Sequence, residues 1–223
     1  MASFKVPGSS VALLTNTSKM PSLSFGLPAG ESCPMAVYGE NSICGSCYAG
    51  KGSYSWAPVK NAQSVRFEYV RQACKDEQTG NEFVALMTQA LEAEAKRQYR
   101  KGYEQAVFRL HDSGDLFSAA YINLWIRVAQ NVPHIKIWCP TRMYRTRNMM
   151  ILEALLRFSS LDNVVLRPSA LFFGEDAPTI PGFAAGSTAS KDGFSCPASQ
   201  QNNECRDCRA CWDGSLTISY RKH

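Results

Sequence analysis

Between residues 59 and 168 the apolar positions of this chain recur in two alternating rhythms. Spacings of three and four predict helices over 59–74 and 81–101. In the second, Phe83, Val84, Met87, Ala90, Leu91, Glu94 and Ala95 fall on one stripe. Lys96, Arg97, Arg100 and Lys101 crowd its last turns, where cations suit the helix dipole, and Gly102 predicts the stop. Short apolar runs predict strands over 106–111 (AVFRLH), 135–139 (IKIWC) and 164–167 (VVLR). Between them lie helices over 118–130, opened by a Ser cap and carrying Ile122, Trp125, Ile126 and Ala129, and over 148–158. Strand, helix, strand, helix, strand with short connections predicts an α/β fold with a parallel sheet and right-handed crossovers.

The flanks lose this rhythm. Pro7, Pro21, Pro28, Pro34 and Pro58 exclude long helices from residues 1–59, leaving one strand in SLSFGLP (22–28). Residues 174–204 are rich in Gly, Pro, Ser and Asn, and a last short strand is predicted over 216–220. With 223 residues, 45% of them hydrophobic, one full core is within reach, so a single domain over 1–223 is expected. It divides into an N-terminal segment (1–59), a βα core (60–173) and a C-terminal extension (174–223).

Active sites of parallel sheets lie at the carboxyl ends of the strands. His111, Asp112, Ser113, Asp115, Cys139, Thr141, Arg142 and Arg167 fall at such ends. His111 is a candidate base or ligand, or a satisfied strand-end histidine. Asp112 and Asp115 are candidates to coordinate a cation or hold a ribose, although one of them could cap the helix from Ser118. Arg142, Arg145 and Arg147 suit a carboxylate or phosphate clamp, or a solvated turn. Trp56, Trp125 and Trp138 are expected to pack, whereas Trp212, beside Cys211, could shield a metal site.

Seven of the nine cysteines form two groups: Cys33, Cys44 and Cys47, then Cys196, Cys205, Cys208 and Cys211. Thiolates so crowded repel one another unless oxidised or sharing a cation, and in a reducing compartment the cation is expected. The close triplet plus a separate Cys196-Pro197 suits a 4Fe-4S cluster. The same four sulfurs could hold structural zinc, with His223 a possible substitute. In the first group, three ligands leave one coordination position open, the mark of a reactive site. Alternatively, Cys44 and Cys47 form a redox dithiol, though a thioredoxin-like pair should open a helix and here Gly50, Gly52 and Pro58 follow. Cys74 is expected in the core; Cys139 either lines the site or is core. The formal charge of +5 would fall to roughly +2 with two clusters bound, so it is weak grounds for a nucleic-acid partner. No secretory h-region or membrane-length run is present, which predicts a cytoplasmic protein.

Two resemblances follow from these residues. SLSFGLPAGESCP, CGSCYAGKGSY, FRLHDSGDLFS, the closing CP…CRDCRACW and SYRKH, together spanning roughly residues 20–223, resemble the gene product eighty-eight family of phage proteins, which brings no assigned activity. A phage setting would put the chain in the cytoplasm of an infected or prophage-bearing host. More distantly, the chain resembles radical S-adenosylmethionine enzymes, whose three-cysteine loop follows the first strand of a partial parallel (βα) barrel and often continues with Tyr, as in Cys47-Tyr48. The cysteine spacing here is wider than in those enzymes. This resemblance implies that Cys33, Cys44 and Cys47 hold a 4Fe-4S cluster chelating S-adenosylmethionine. It further implies that Ser113, Gly114 and Asp115, with Tyr48 and Arg142, position that cofactor, and that Asp112 or His111 faces substrate. The second cysteine group would then hold an auxiliary cluster, and an electron donor and a small-molecule or nucleotide substrate would be the partners. Two other classes are a zinc-containing base-exchange enzyme like the tRNA-guanine transglycosylases, with Asp112 or Asp115 as nucleophile, and a non-catalytic metal protein binding nucleic acid or a partner.

Overall fold

In a computed structural model the chain is a mixed α/β protein built on parallel sheets; residues 4–189 and 191–221 are described. Strands β1 (Ser24–Phe25), β2 (Ala106–Leu110), β3 (Ile135–Thr141) and β4 (Val164–Pro168) stand side by side in that order, all parallel. Helices α1 (Ala57–Ala73) and α2 (Glu77–Arg100) separate β1 from β2, while α3 (Ala119–Asn131) and α4 (Met149–Ser159) make the next two connections. The predicted core alternation is therefore present.

Helices α2, α3 and α4 begin where a side chain can satisfy their free amides, whereas α1 opens on Trp56 with Pro58 in its first turn. Ser118 accepts from the Tyr121 N–H at 3.2 Å, and Asn148 from the Met150 N–H at 3.0 Å. Helix α2 starts at Glu77, ahead of the expected position, because Asp76 accepts from the Thr79 N–H at 2.7 Å. Past its end, Gly102 sits at φ +86°, the left-handed turn that glycine adopts without strain.

Period-two alternation sorts the strand residues onto two faces. Phe108, Leu110, Ile135, Ile137, Cys139, Val164 and Leu166 join the helices in the main core, centred on the fully buried Trp125. Val107, Trp138 and Val165 face the other way and pack with Trp212 from the C-terminal extension. The Trp212 indole donates to the Phe108 carbonyl at 2.9 Å. Trp56, expected to pack, is instead 65% exposed, because it occupies the cap position of α1 rather than the stripe facing the core.

Strand β1 starts later than predicted for a specific reason. Opposite Val107, the Gln98 amide from α2 accepts from the Val107 N–H at 2.9 Å and donates to its carbonyl at 2.8 Å. A side chain thus serves as the missing stretch of neighbouring strand.

The extension adds a second parallel sheet, β5 (Ser187–Ala189), β6 (Phe194–Ser195) and β7 (Ile218–Tyr220), in the order β5-β7-β6. A parallel bridge between Ser169 and Ser187 connects it to the residue just past β4. Strands β5 and β6 escaped the sequence reading because two or three residues carry no period.

Candidate functional site at the carboxyl-end mouth

The loops leaving β1 and β2 are laced together. The Leu27 N–H donates to the Ser113 carbonyl and the Asp115 N–H to the Ser32 carbonyl, each at 3.0 Å. Between them Gly114 sits at φ +89°, where an added Cβ would meet Ser32 Oγ at 2.6 Å. Only glycine fits that crossing. Ser113 Oγ donates to the Leu27 carbonyl and accepts from Gln63 Nε2, both at 2.7 Å.

Asp115 ties β2 to β3. Its carboxylate accepts from the Leu116 N–H at 2.7 Å, the Thr141 hydroxyl at 2.6 Å and the Arg142 N–H at 2.8 Å. Burial pushes its pKa up, and these bonds work against that rise. The Arg142 guanidinium donates to the Ala170 carbonyl beyond β4 at 3.0 and 3.2 Å. Ser113, Asp115 and Arg142 are therefore brought together at one rim. Arg145 and Arg147 lie exposed outside it, with Arg145 donating to the Met35 carbonyl at 3.4 Å.

Asp112 and His111 point opposite ways. Asp112 is 2% exposed and turns toward the first cysteine loop. Its Oδ2 accepts from the Tyr54 hydroxyl at 2.7 Å, and its main-chain carbonyl accepts from the Tyr48 hydroxyl. Oδ1 is buried without a hydrogen-bond partner and lies over Gly26, where a Cβ would come within 2.2 Å. An orphaned buried carboxylate oxygen calls for a donor. Tyr48 as a residue remains 44% exposed while its hydroxyl reaches inward to accept from Arg109 at 2.8 Å.

His111 instead enters the helix-side core at φ +66°. Its Nε2 lies 2.9 Å from the Tyr121 hydroxyl and its Nδ1 3.7 Å from Cys139 Sγ. Burial, and then the charge of Arg109, lowers its pKa to about 3, so the ring is neutral. Cys139 sits with it in that core, not at the mouth; Cys74 is half-buried against the same core at the end of α1.

The first cysteine group lies over this mouth. Cys33 follows β1 and is pushed up to about 11, first by burial and then by the nearby charges of Asp115, Cys47 and Cys44, while its Gly30 backbone bond works against the rise. Tyr38 is raised by burial and then by all three of these thiols. The loop crosses to the far side of the sheet, where the Ile43 N–H donates to the Leu171 carbonyl at 2.9 Å. All three cysteines are free and half-buried.

The second group closes the face opposite the helices. Burial pushes Cys211 up to about 11; Cys196 and Cys205 add to this, whereas a contact with the Tyr220 hydroxyl at 3.4 Å and the charge of Arg109 work against it. Cys205 is raised by burial first, with Cys196 and Cys208 adding and Lys19 and Arg109 opposing. The four thiols therefore share one neighbourhood. Among the described residues, however, no three His, Cys, Asp or Glu side chains are placed to hold a single ion. His223 lies outside the described residues.

Sequence reasoning passed over Arg109, Gln63, Tyr54 and Met20. Arg109 was detectable as the charged residue inside the apolar run AVFRL; the others sit on helix or loop positions that no pattern singles out.

A family model described as Gene product 88 matches residues 6–214, a span that contains both cysteine groups. The chain is 29% identical over 160 residues to the Gene 88 protein of Mycobacterium phage L5, covering 70% of this chain and 58% of that protein. It is 30% identical over 123 residues to the Gene 88 protein of Mycobacterium phage D29, covering 54% of this chain and 47% of that one. The matched region thus spans about half the length of these curated relatives. No solved structure matches.

Proposed function

The chain belongs to the Gene product 88 family, and from that premise we propose an iron–sulfur enzyme of the radical S-adenosylmethionine kind, acting on a small molecule, nucleotide or nucleobase. One observation carries the reading. The three thiols of Cys33, Cys44 and Cys47 lie in the loop that leaves the carboxyl end of β1 and sit near one another, with Cys33 also near Asp115 at the end of β2. The donor set suits the group: soft thiolates, three in number, whose mutual repulsion a polynuclear cation would relieve. Cysteines on one cubane bind different irons, so they need not converge on a single ion.

When bound, such a cluster supplies the electron that cleaves the sulfonium of S-adenosylmethionine, drawn in turn from a separate electron donor. The chain's own part is to hold and orient. Asp115 Oδ2 accepts one bond from Arg142, leaving room for an ammonium donor, and the Ser113-Gly114 turn lets a ligand approach the backbone closely. Tyr48 and Arg142 line the same rim. Asp112 Oδ1 is buried beneath Gly26 without a donor, so this carboxylate would face substrate only if the Gly26 backbone shifted. Cys196, Cys205, Cys208 and Cys211 would hold a second metal centre, a cluster or zinc. The Ser169–Ser187 bridge supports a sheet continuing as a partial parallel barrel, although the β5-β7-β6 order, without intervening helices, departs from a sequential (βα) array. No described helix is long and apolar enough to cross a membrane.

The test is anaerobic purification, iron and sulfide analysis, and incubation with dithionite and S-adenosylmethionine. Formation of 5′-deoxyadenosine, lost in Cys44→Ala along with one cluster's iron, is expected. Full iron occupancy without 5′-deoxyadenosine would end the enzymatic reading. Colourless protein carrying one zinc at the second group would favour base exchange, with Asp112 or Asp115 as nucleophile.

A further inference from the structure

Arg109 occupies an unusual place. It stands on β2 but points to the face opposite the helices, with its guanidinium 4.8 Å above the Trp138 ring. Its Nε donates to the His111 carbonyl at 3.1 Å, one terminal nitrogen donates to the Tyr48 hydroxyl at 2.8 Å, and the other lies 3.9 Å from Met20 Sδ. Among the described residues no carboxylate forms an ion pair with it. An always-charged guanidinium is thus hydrogen-bonded to neutral groups, with the charge of Asp112 nearby and its planar fork fixed in three directions.

Those directions lead to both cysteine groups. Tyr48 directly follows Cys47. Met20 Sδ lies 3.9 Å from Cys205 Sγ, and the Cys205 N–H donates to the carbonyl of Lys19 at 2.9 Å. The contact chain therefore runs Cys47-Tyr48, Arg109, Met20, Cys205, joining loops far apart in sequence. The charge of Arg109 also acts on the thiols of Cys205 and Cys211, favouring their anionic form.

We propose that Arg109 is a positioning residue shared by the two cysteine groups, whose single cation and rigid contacts to Tyr48 and Met20 hold both thiol loops in place for their ions. The part concerning ions rests on the reading of the thiols as metal ligands. The loop-holding part does not.

The test uses full-length reduced protein with Co²⁺ as the probe, followed by thiolate-to-cobalt charge transfer. A Cys205→Ser/Cys208→Ser background reports the first group, and Cys44→Ser/Cys47→Ser reports the second. Arg109→Gln is expected to weaken Co²⁺ binding in both backgrounds by about tenfold, and Arg109→Lys to recover part of it in both. In metal-free protein, iodoacetamide labelling mapped by mass spectrometry should quicken at Cys47 and Cys205 alike in Arg109→Gln. A folded Gln variant changed at only one group, or at neither, overturns the proposal; if that variant does not fold, Arg109→Lys is judged by the same criterion. Wild-type protein that takes up no Co²⁺, yet whose labelling quickens at both groups on substitution, would remove single-ion binding by these thiols and keep the shared role of Arg109. Without that paired quickening, the shared role falls.

Discussion

The two faces of the four-stranded sheet are sealed by different physics. On one, Phe108, Ile137 and Leu166 meet four helices through apolar contact around Trp125. On the other, a small patch of Val107, Trp138, Val165 and Trp212 is surrounded by two arginines and the cysteine-rich extension. There Arg167, fully buried, donates to the carbonyls of Ala185, Gly186, Leu216, Cys211 and Asp213. Apolar burial is non-directional and tolerates adjustment; a guanidinium gathering carbonyls from a loop-rich extension is directional and fails as a unit. The helix-side face is thus suited to be the scaffold. The opposite face, where one cation touches Tyr48 beside the first thiol group and acts on thiols of the second, is suited to chemistry.

The largest effect expected from breaking this contrast is on the scaffold. Trp125→Ala removes a ring packed at 5.7 Å from Phe25 and 6.0 Å from both Phe83 and Phe108. A loss of about 4 kcal/mol is expected, read as a drop in the urea midpoint with the whole chain unfolding in one transition. On the other face, Arg167→Met should cost about 3 kcal/mol, since several carbonyls lose a charged donor. Its signature should be local: protease cleavage within residues 174–221 before the core helices melt. Simultaneous loss of core and extension in both variants would erase the distinction.

The smallest effect concerns pH. The His111 imidazole falls from an ordinary 6.5 to about 3 in the folded chain. The unfolded chain therefore binds more protons between these values. The stability from the neutral ring is complete above pH 6.5 and is lost as pH falls, by up to about 1.4 kcal/mol per unit. Asp115, whose pKa is raised, acts in the opposite sense above its ordinary 3.8 in both wild type and variant, so the His111 contribution is read as their difference in the window just below pH 6.5. His111→Asn, which tolerates the φ of +66°, should flatten urea midpoints measured across that window. An unchanged slope would place the sensitivity elsewhere.

Much of this could be followed from residue order. The βα alternation, the Ser118 cap and the Gly102 stop are local, and local chemistry is what a sequence displays. The strand-end cluster was also visible, because Asp112, Ser113 and Asp115 directly follow an apolar run. The opposed directions of His111 and Asp112 were not, since they depend on a left-handed residue at the strand's end. Nor was Gln98 completing the edge of β2, because its partner lies in another element.

What the chain order determined by itself, then, is a helix-backed parallel sheet carrying two thiol-rich loops, through periodicity, capping and cysteine spacing. Only the tertiary structure decided that Arg109 lies between those loops, that Asp112 keeps an unpartnered oxygen at the mouth, and that Arg167 locks the extension in place. Each of these is a meeting of segments remote in sequence, and such meetings are fixed by packing and hydrogen-bond satisfaction rather than by local propensity.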